Sequence, residues 1–434
     1  MEVIVPFYRV LQWRYLIITF FGLLILVGSK WETKLPSVDE LPEQADLPDP
    51  LRMMDGTPIR TKDDWYMKRR PELKRLFQHY MYGYLPPKPS VTATIIKKDD
   101  RLFNGKATYK EISLALFLPE DKKHTINIAL FVPNDISRPV PVFIAVNGCG
   151  NHTLLDYKGV SIIEQPWLHR HCKRDYYERG SRAEMWAIEN TLDRGYALAT
   201  FAASDMDPDR EDWTDGIHAS YPDAPGGEDT RWGTIAAWAW GIHRVIDYIE
   251  TDTDIDSNRI CVTGLSRRGK AALFAAAMDE RIDLVIPHQS GTGGMALSRM
   301  NPSESVARIN EKFPHWFNDN FARFGKNVNR LPIDRHLLVA LVAPRPLMDN
   351  AGLRDTWASP SLALEALKAA TPVYELLGEK GIIGEGFIRD TIGTVEIGRL
   401  LQYQRDTGHE LNIDYWNAMM DFANRQRSMI TFAE

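Results

Sequence analysis

Between residues 91 and 146 the chain passes through four short stretches, 91–96, 112–118, 125–132 and 140–146, with the length and apolar content of strands. Further strand-like runs follow at 196–202, 260–263, 284–286 and 336–342, and helical patterns lie between these later ones. One pattern repeats Trp238, Ile242, Val245, Ile246 and Ile249 at helical spacing, which reads as a core stripe and not as an aromatic binding surface. Another spans 267–278, where Ala271, Ala272, Leu273, Phe274 and three more alanines are small enough to pack closely on a sheet. Strands first, then strand and helix in alternation, predict an α/β fold with a mostly parallel sheet between helices.

Three long connections, 151–182, 204–231 and 290–331, interrupt this order. Loops of that length in a compact unit are usually functional walls, and in a doubly wound sheet sites lie beyond the carboxyl ends of strands. All three leave from such ends, so they are expected to surround one site. The first 29 residues differ from the rest: Arg9 and Arg14 precede an uncharged apolar run, 15–28, that ends near the small residues Gly28 and Ser29. That run is shorter than the roughly 20 residues of a spanning helix. An export signal is the reading preferred, with an uncleaved membrane anchor as its rival, and either carries the body of the protein out of the cytoplasm. Residues 30–48 have the Pro- and acid-rich composition of a linker, and 49–434 is expected to form the folded unit.

With 434 residues, 44% of them hydrophobic, the chain can bury a large core. Its net charge of −6 arises from 52 basic and 58 acidic residues with no basic block, which argues against a nucleic-acid partner. Cys149, Cys172 and Cys261 allow one internal disulfide at most. Cys261, inside a strand, reads as a buried free thiol, and spacing does not decide whether Cys149 and Cys172 pair. There is no H-E-x-x-H, no paired-cysteine spacing and no phosphate-binding glycine loop, so neither metal nor cofactor is expected.

The strongest chemical signal is Gly264-Leu-Ser-Arg-Arg-Gly-Lys270, directly after the run 260–263. A serine at a sharp strand-to-helix turn presents its hydroxyl above an α/β sheet, which makes Ser266 the candidate nucleophile. The pattern departs from G-x-S-x-G, since Arg268 occupies the place of the second glycine. Serine chemistry also needs a base, a group to orient it and donors for an oxyanion. On this fold the order is serine, acid, histidine, which selects His409 as base and leaves His288, at the end of the strand after the nucleophile helix, as competitor. Asp355 lies in the right interval for the acid, with Asp349 as the alternative. Oxyanion donors are expected from Asn147-Gly-Cys-Gly150 and from Arg267, and Lys270, four residues past Ser266, is placed to meet substrate hydroxyls. A solitary basic residue is more often an ordinary helix charge or ion pair.

These residues resemble the glucuronoyl esterases, carbohydrate esterase family fifteen, from about residue 49 to the carboxyl terminus. The resemblance rests on Asp49-Pro-Leu-Arg-Met-Met-Asp-Gly56, Tyr82-Gly-Tyr84, Asn147-Gly-Cys-Gly-Asn-His-Thr153, Ala236-Ala-Trp-Ala-Trp-Gly241, the serine segment, Ser290-Gly-Thr-Gly-Gly294, Phe313-Pro-His-Trp-Phe317 and Gly408-His-Glu410. It implies an α/β-hydrolase fold and hydrolysis of the ester between 4-O-methyl-glucuronic acid of glucuronoxylan and an alcohol, in plant walls a lignin alcohol. It also implies that Ser266 attacks, His409 is the base and Arg267 holds the oxyanion, while Lys270, Glu304 and Trp357 contact the sugar.

One departure matters. Many family members carry Asp or Glu where this chain has Gln289, and an amide cannot stabilise an imidazolium as a carboxylate does. The expectation is that Asp355 supplies the charge, so that Asp355→Asn lowers turnover sharply and Gln289→Ala does little. Rival readings are an esterase for acetylated xylan or other simple esters and, from a different class, a glycan-binding relative without activity.

Overall fold

The computed structural model describes residues 34–162, 172, 177–221, 225–389, 391–393 and 395–431. The expected export segment, 1–29, lies outside the described residues, as does part of the connection 151–182. The chain divides into two compact units, Met1–Leu41 and Pro42–Glu434. In the described part of the first, the Ser37 N–H and hydroxyl both donate to Glu40 at 2.8 Å and cap a single 3-10 turn, Val38–Glu40.

The second unit is built on a ten-stranded sheet among the described residues. Its strands are β1 (Ser90–Leu102), β2 (Ala107–Phe117), β3 (Lys123–Pro133), β4 (Val140–Asn147), β5 (Ala197–Ala202), β6 (Ile255–Leu265), β7 (Leu284–His288), β8 (Leu347–Gly352), β9 (Phe387–Arg389) and β10 (Leu400–Arg405). The spatial order is β1-β2-β3-β5-β4-β6-β7-β8-β10-β9. β1, β2 and β3 form an antiparallel meander that joins β5 antiparallel, and from β5 to β9 every pairing is parallel. Every residue of β4 is buried, as a strand covered on both faces requires, whereas β1 is mostly exposed and ends the sheet with Lys97 and Lys98 in its length.

Five helices matter for the site: α1 (Thr234–Ile249), α2 (Arg267–Met278), α3 (Arg335–Ala340), α4 (Pro360–Leu376) and α5 (Ile413–Thr431). α5 sets Tyr415, Trp416, Met419 and Phe422 against Phe143, Leu198, Cys261, Ile286, Met348 and Tyr403, side chains that the six neighbouring strands β5, β4, β6, β7, β8 and β10 present on one face. The stripe of α1 is core, and the whole helix is buried. α2 packs on β6 and β7, where its alanines allow the close approach their size suggested.

The run 336–342 is not a strand. Asp334 caps a helix there, accepting from the Arg335 N–H at 2.8 Å, and α3 is buried on all sides. An apolar run enclosed on every side has no alternation to report, so its period cannot separate strand from helix. The strand that follows begins at Leu347. Among the described residues no helix is long and apolar enough to cross a membrane.

Candidate active site

β6 ends at Leu265 and α2 begins at Arg267, so Ser266 alone makes the turn, at φ 62° and ψ −125°. A side chain is strained in that conformation, and the surroundings hold it: the Ser266 N–H donates to the His288 carbonyl at 2.9 Å and its carbonyl accepts from the Lys270 N–H at 3.1 Å. The displaced glycine has a steric cause. A Cβ on Gly264 would lie 2.6 Å from the Arg268 carbonyl, and one on Gly269 would lie 2.6 Å from the carbonyl of Gly264. The elbow therefore needs its small residues at 264 and 269, and position 268 is released to carry a long side chain.

His409 follows β10, and its Nδ1 lies 2.6 Å from Asp355 Oδ2 in the loop after β8. The other Asp355 oxygen accepts from the Ala358 N–H at 3.2 Å. The two loops are laced together by Leu353 N–H to the Arg405 carbonyl at 2.8 Å and Arg354 N–H to the Thr407 carbonyl at 2.9 Å. Asp355 is buried while the His409 side chain is 41% exposed, so the imidazole has one face on its carboxylate and another toward an open cavity. Ser266, Arg267 and His409 line that same cavity.

The two competitors lie elsewhere. His288 is fully buried: its Nε2 meets the Glu410 carbonyl at 2.7 Å, Asn350 Nδ2 approaches its Nδ1 at 3.1 Å, and burial pushes its pKa down to about 3. Both ring nitrogens are spent, so it is not free to serve a serine. Asp349 points to the opposite face of β8 from Asn350, accepts from Gln402 Nε2 at 2.8 Å, and is pushed by burial up to about 7. Gln289 has a task that its amide chemistry suits. Its Nε2 donates to the Gly408 carbonyl at 3.0 Å and its Oε1 accepts from the Glu410 N–H at 3.0 Å, so one side chain grips the backbone on both sides of His409. A carboxylate has no donor for the first of these bonds.

On the other side of Ser266, Asn147 shapes the turn after β4: its Oδ1 accepts from the Gly150 N–H at 2.8 Å and its Nδ2 donates to Asn151 and Thr200. Gly148 and Cys149 face the cavity, and Cys149 is joined to Cys172 by the disulfide that spacing had left open, with Cys261 a buried free thiol. Arg267 is ion-paired with Asp209, and its guanidinium lies 4.6 Å from the Trp316 ring centroid and 4.9 Å from that of Phe313. Burial opposes a charge on Asp209, but the hydrogen bond from His315, the Arg267 charge and the donor of Trp316 outweigh it and hold the carboxyl below the usual range. Sequence reasoning missed Asp209, whose loop carries no local signature. His315 and Trp316 stood in a quoted motif without an assigned task.

Lys270, Glu304 and Trp357 meet. The Lys270 ammonium is buried against the carbonyls of Ser290 (2.7 Å) and Thr292 (2.5 Å) and against Glu304 at 3.2 Å. Glu304 also accepts from the Thr292 N–H at 2.7 Å and from Trp357 Nε1 at 3.0 Å. Burial lowers the Lys270 pKa, an effect that Glu304 counters. Trp357 remains 39% exposed. Residues from all three long connections thus reach the site: Arg182 and Cys172, Asp209, and Glu304 with Trp316.

Comparison with known proteins places these features in a group. The family described as "Glucuronyl esterase, fungi" matches residues 182–378. The chain is 37% identical to carbohydrate esterase MZ0003 of an unknown prokaryotic organism, over 87% of this chain and 89% of that protein. It is 30% identical to a 4-O-methyl-glucuronoyl methylesterase of Schizophyllum commune, over 81% of this chain and 79% of that one. Its structure is similar to that of a glucuronoyl esterase from Solibacter usitatus, with a TM-score of 0.80 and 32% identity over 89% of this chain and 99% of the other.

Proposed function

The chain belongs to the glucuronoyl esterases, carbohydrate esterase family fifteen, and from that premise we propose that it hydrolyses the ester joining the carboxyl group of a 4-O-methyl-glucuronic acid to an alcohol. The observation that carries the reading is the hydrogen bond between His409 and Asp355 beside the cavity that Ser266 shares. Ser266 Oγ forms a bond to the uronoyl carbonyl carbon while its proton passes to His409 Nε2, and the imidazolium is stabilised by Asp355 through Nδ1. The oxyanion of the tetrahedral intermediate is met by the Arg267 backbone N–H and by the turn at residues 147–150, with the Arg267 guanidinium held nearby by Asp209. Collapse breaks the bond to the alcohol oxygen, which leaves with the proton from His409. Water then adds to the acyl-serine with His409 again as base, releasing the uronic acid and restoring Ser266.

For the sugar, Lys270, Glu304 and Trp357 form the uronate side: the Lys270 ammonium, its three donors given to Ser290, Thr292 and Glu304, fixes the Glu304 carboxylate, which holds Trp357 Nε1 and has lone pairs left for ring hydroxyls, and the exposed Trp357 offers a face for a pyranose to stack on. Glucuronoxylan esterified to lignin alcohols is the natural substrate class we assign, and the segment 1–29 would export the enzyme to reach it. The test is hydrolysis of benzyl glucuronate by wild type and Ser266→Ala, with acetylated xylose as comparator. Turnover of the uronate ester that vanishes in the variant supports the assignment. Preference for the acetyl ester would instead favour a general carbohydrate esterase.

A further inference from the structure

We propose that Arg268 forms an anion subsite on the leaving-alcohol side of Ser266, so that the enzyme favours uronate esters whose alcohol carries a carboxylate. The proposal rests on the glucuronoyl esterase reading and adds to it the chemistry of the departing half of the substrate.

Arg268 stands where the elbow needs no small residue, and its side chain turns toward the cavity that holds Ser266 and His409. Its guanidinium lies against Gly148: a Cβ built on that glycine would come within 2.0 Å of Arg268 Nη2. The loop after β4 must therefore be bare at 148 for the arginine to lie there. Among the described residues the guanidinium has no hydrogen-bond or ion-pair partner, and its Nε is buried without an acceptor. This separates it from the neighbouring Arg267, which Asp209 neutralises. Arg182 lines the same cavity, and burial together with the charges of Arg267 and Arg182, opposed by that of Asp209, lowers the Arg268 pKa to about 10. Among the described lining residues the one carboxylate is Glu410, exposed at the mouth and accepting from Asn412 Nδ2 at 2.9 Å. A guanidinium at pH 7 cannot shed its proton, so Arg268 keeps its charge where it lies.

The direction follows from what the cavity leaves out. Lys270, Glu304 and Trp357 hold the sugar in the proposed function, and none of them is among the cavity's lining residues. An ester bound with its uronate on that trio and its carbonyl over Ser266 projects its alcohol into the space beside Gly148, Arg182, Met185 and Leu411, where Arg268 waits for an acceptor. A planar guanidinium without a partner matches a carboxylate, which would supply both charge and lone pairs.

The experiment compares kcat/KM for three glucuronate esters: benzyl, para-carboxybenzyl and para-carbamoylbenzyl, the last having the shape of the second without its charge. Wild type should favour the carboxybenzyl ester over the carbamoyl one by about tenfold at low salt, and the preference should shrink toward one near 0.5 M salt. Arg268→Gln should lose the preference and Arg268→Lys should keep part of it, with thermal unfolding showing that both are folded. Should Arg268→Gln not fold, the salt series on wild type decides alone. Equal rates on the charged and neutral esters in wild type, or an unchanged ratio in Arg268→Gln, would overturn the subsite. An equal loss on all three esters in Arg268→Gln would also overturn it, because the arginine would then be acting on the common acyl half. Failure of wild type to cleave any glucuronate ester is a different result, since it removes the family activity itself.

Discussion

Asp355 Oδ2 lies 2.6 Å from His409 Nδ1 across 54 residues of chain. Neighbouring parallel strands bring them together: β8 and β10 pair residue for residue from Leu347 with Leu400 to Gly352 with Arg405, and the loops beyond stay bonded to each other. The pair is thus fixed by the sheet and not by any local motif. Asp355→Asn keeps the shape and removes the charge, so kcat on benzyl glucuronate should fall about a thousandfold or more while KM changes little. Asp349→Asn, whose side chain meets Gln402 on the other face, should keep kcat within about twofold. If Asp349→Asn were the inactive variant, Asp355 would lose its assignment.

Gln289→Ala, expected from sequence to be nearly silent, should not be. It removes the donor to Gly408 and the acceptor for Glu410 at once, leaving two partly buried backbone groups next to His409 without these bonds. The imidazole would keep Asp355 yet lose its fixed approach to Ser266. Turnover should drop about tenfold with KM unchanged, because uronate binding lies elsewhere. A merely structural loss would lower the unfolding midpoint and leave kcat of the folded fraction as it was, and steady-state kinetics paired with thermal unfolding separates the two.

How much of this was legible in the sequence depends on how local the cause is. The turn at Ser266 was readable because strand, turn and helix are contiguous in the chain, and the order of serine, acid and histidine favoured His409 and Asp355 while leaving His288 and Asp349 as competitors. The choice against Asp349 and His288 was not readable, since it depends on which face of β8 a side chain takes and on whether a ring nitrogen is already bonded. The helix at 335–340 was misread because an enclosed apolar run lacks a period. Gln289 looked like a lost carboxylate when considered alone. Its use is visible only once the His409 loop lies across it. Asp209 gave no signal at all, being joined to Arg267 through a long loop.

Two buried carboxylates predict how stability responds to pH. Asp205, which accepts from Asn127 N–H at 2.8 Å, and Asp349 are each raised by burial from 3.8 to about 7. In the fold they keep a proton that the unfolded chain has already released, so the native state binds more protons between those two values. Their contribution is complete below about 3.8, declines as the pH rises through that window, and is gone above about 7. The double variant Asp205→Asn/Asp349→Asn should therefore gain midpoint relative to wild type at pH 8 compared with pH 5, by roughly a few degrees in thermal scans. A difference that is the same at both pH values would mean that neither group carries its proton into the fold.

Trp357 and Glu304 touch each other but should fail in opposite ways. Trp357 is 39% exposed, so Trp357→Ala removes a stacking face at small cost to the fold, and KM for the uronate ester should rise about tenfold with the unfolding midpoint nearly constant. Glu304 is buried, and it is the carboxylate that the buried Lys270 ammonium faces. Glu304→Ala leaves that ammonium uncompensated, a loss of about 3–5 kcal/mol. Glu304→Gln keeps the acceptor for Trp357 Nε1 and removes the charge, so it should be destabilised less than the alanine variant yet still bind the sugar poorly. Thermal unfolding and KM measured on all three variants give the pattern: Trp357→Ala displaced in KM alone, both Glu304 variants displaced in KM and stability together. If Trp357→Ala instead lost stability without a change in KM, the exposed ring would be packing for the loop at 352–359, and the sugar would have to find its platform elsewhere.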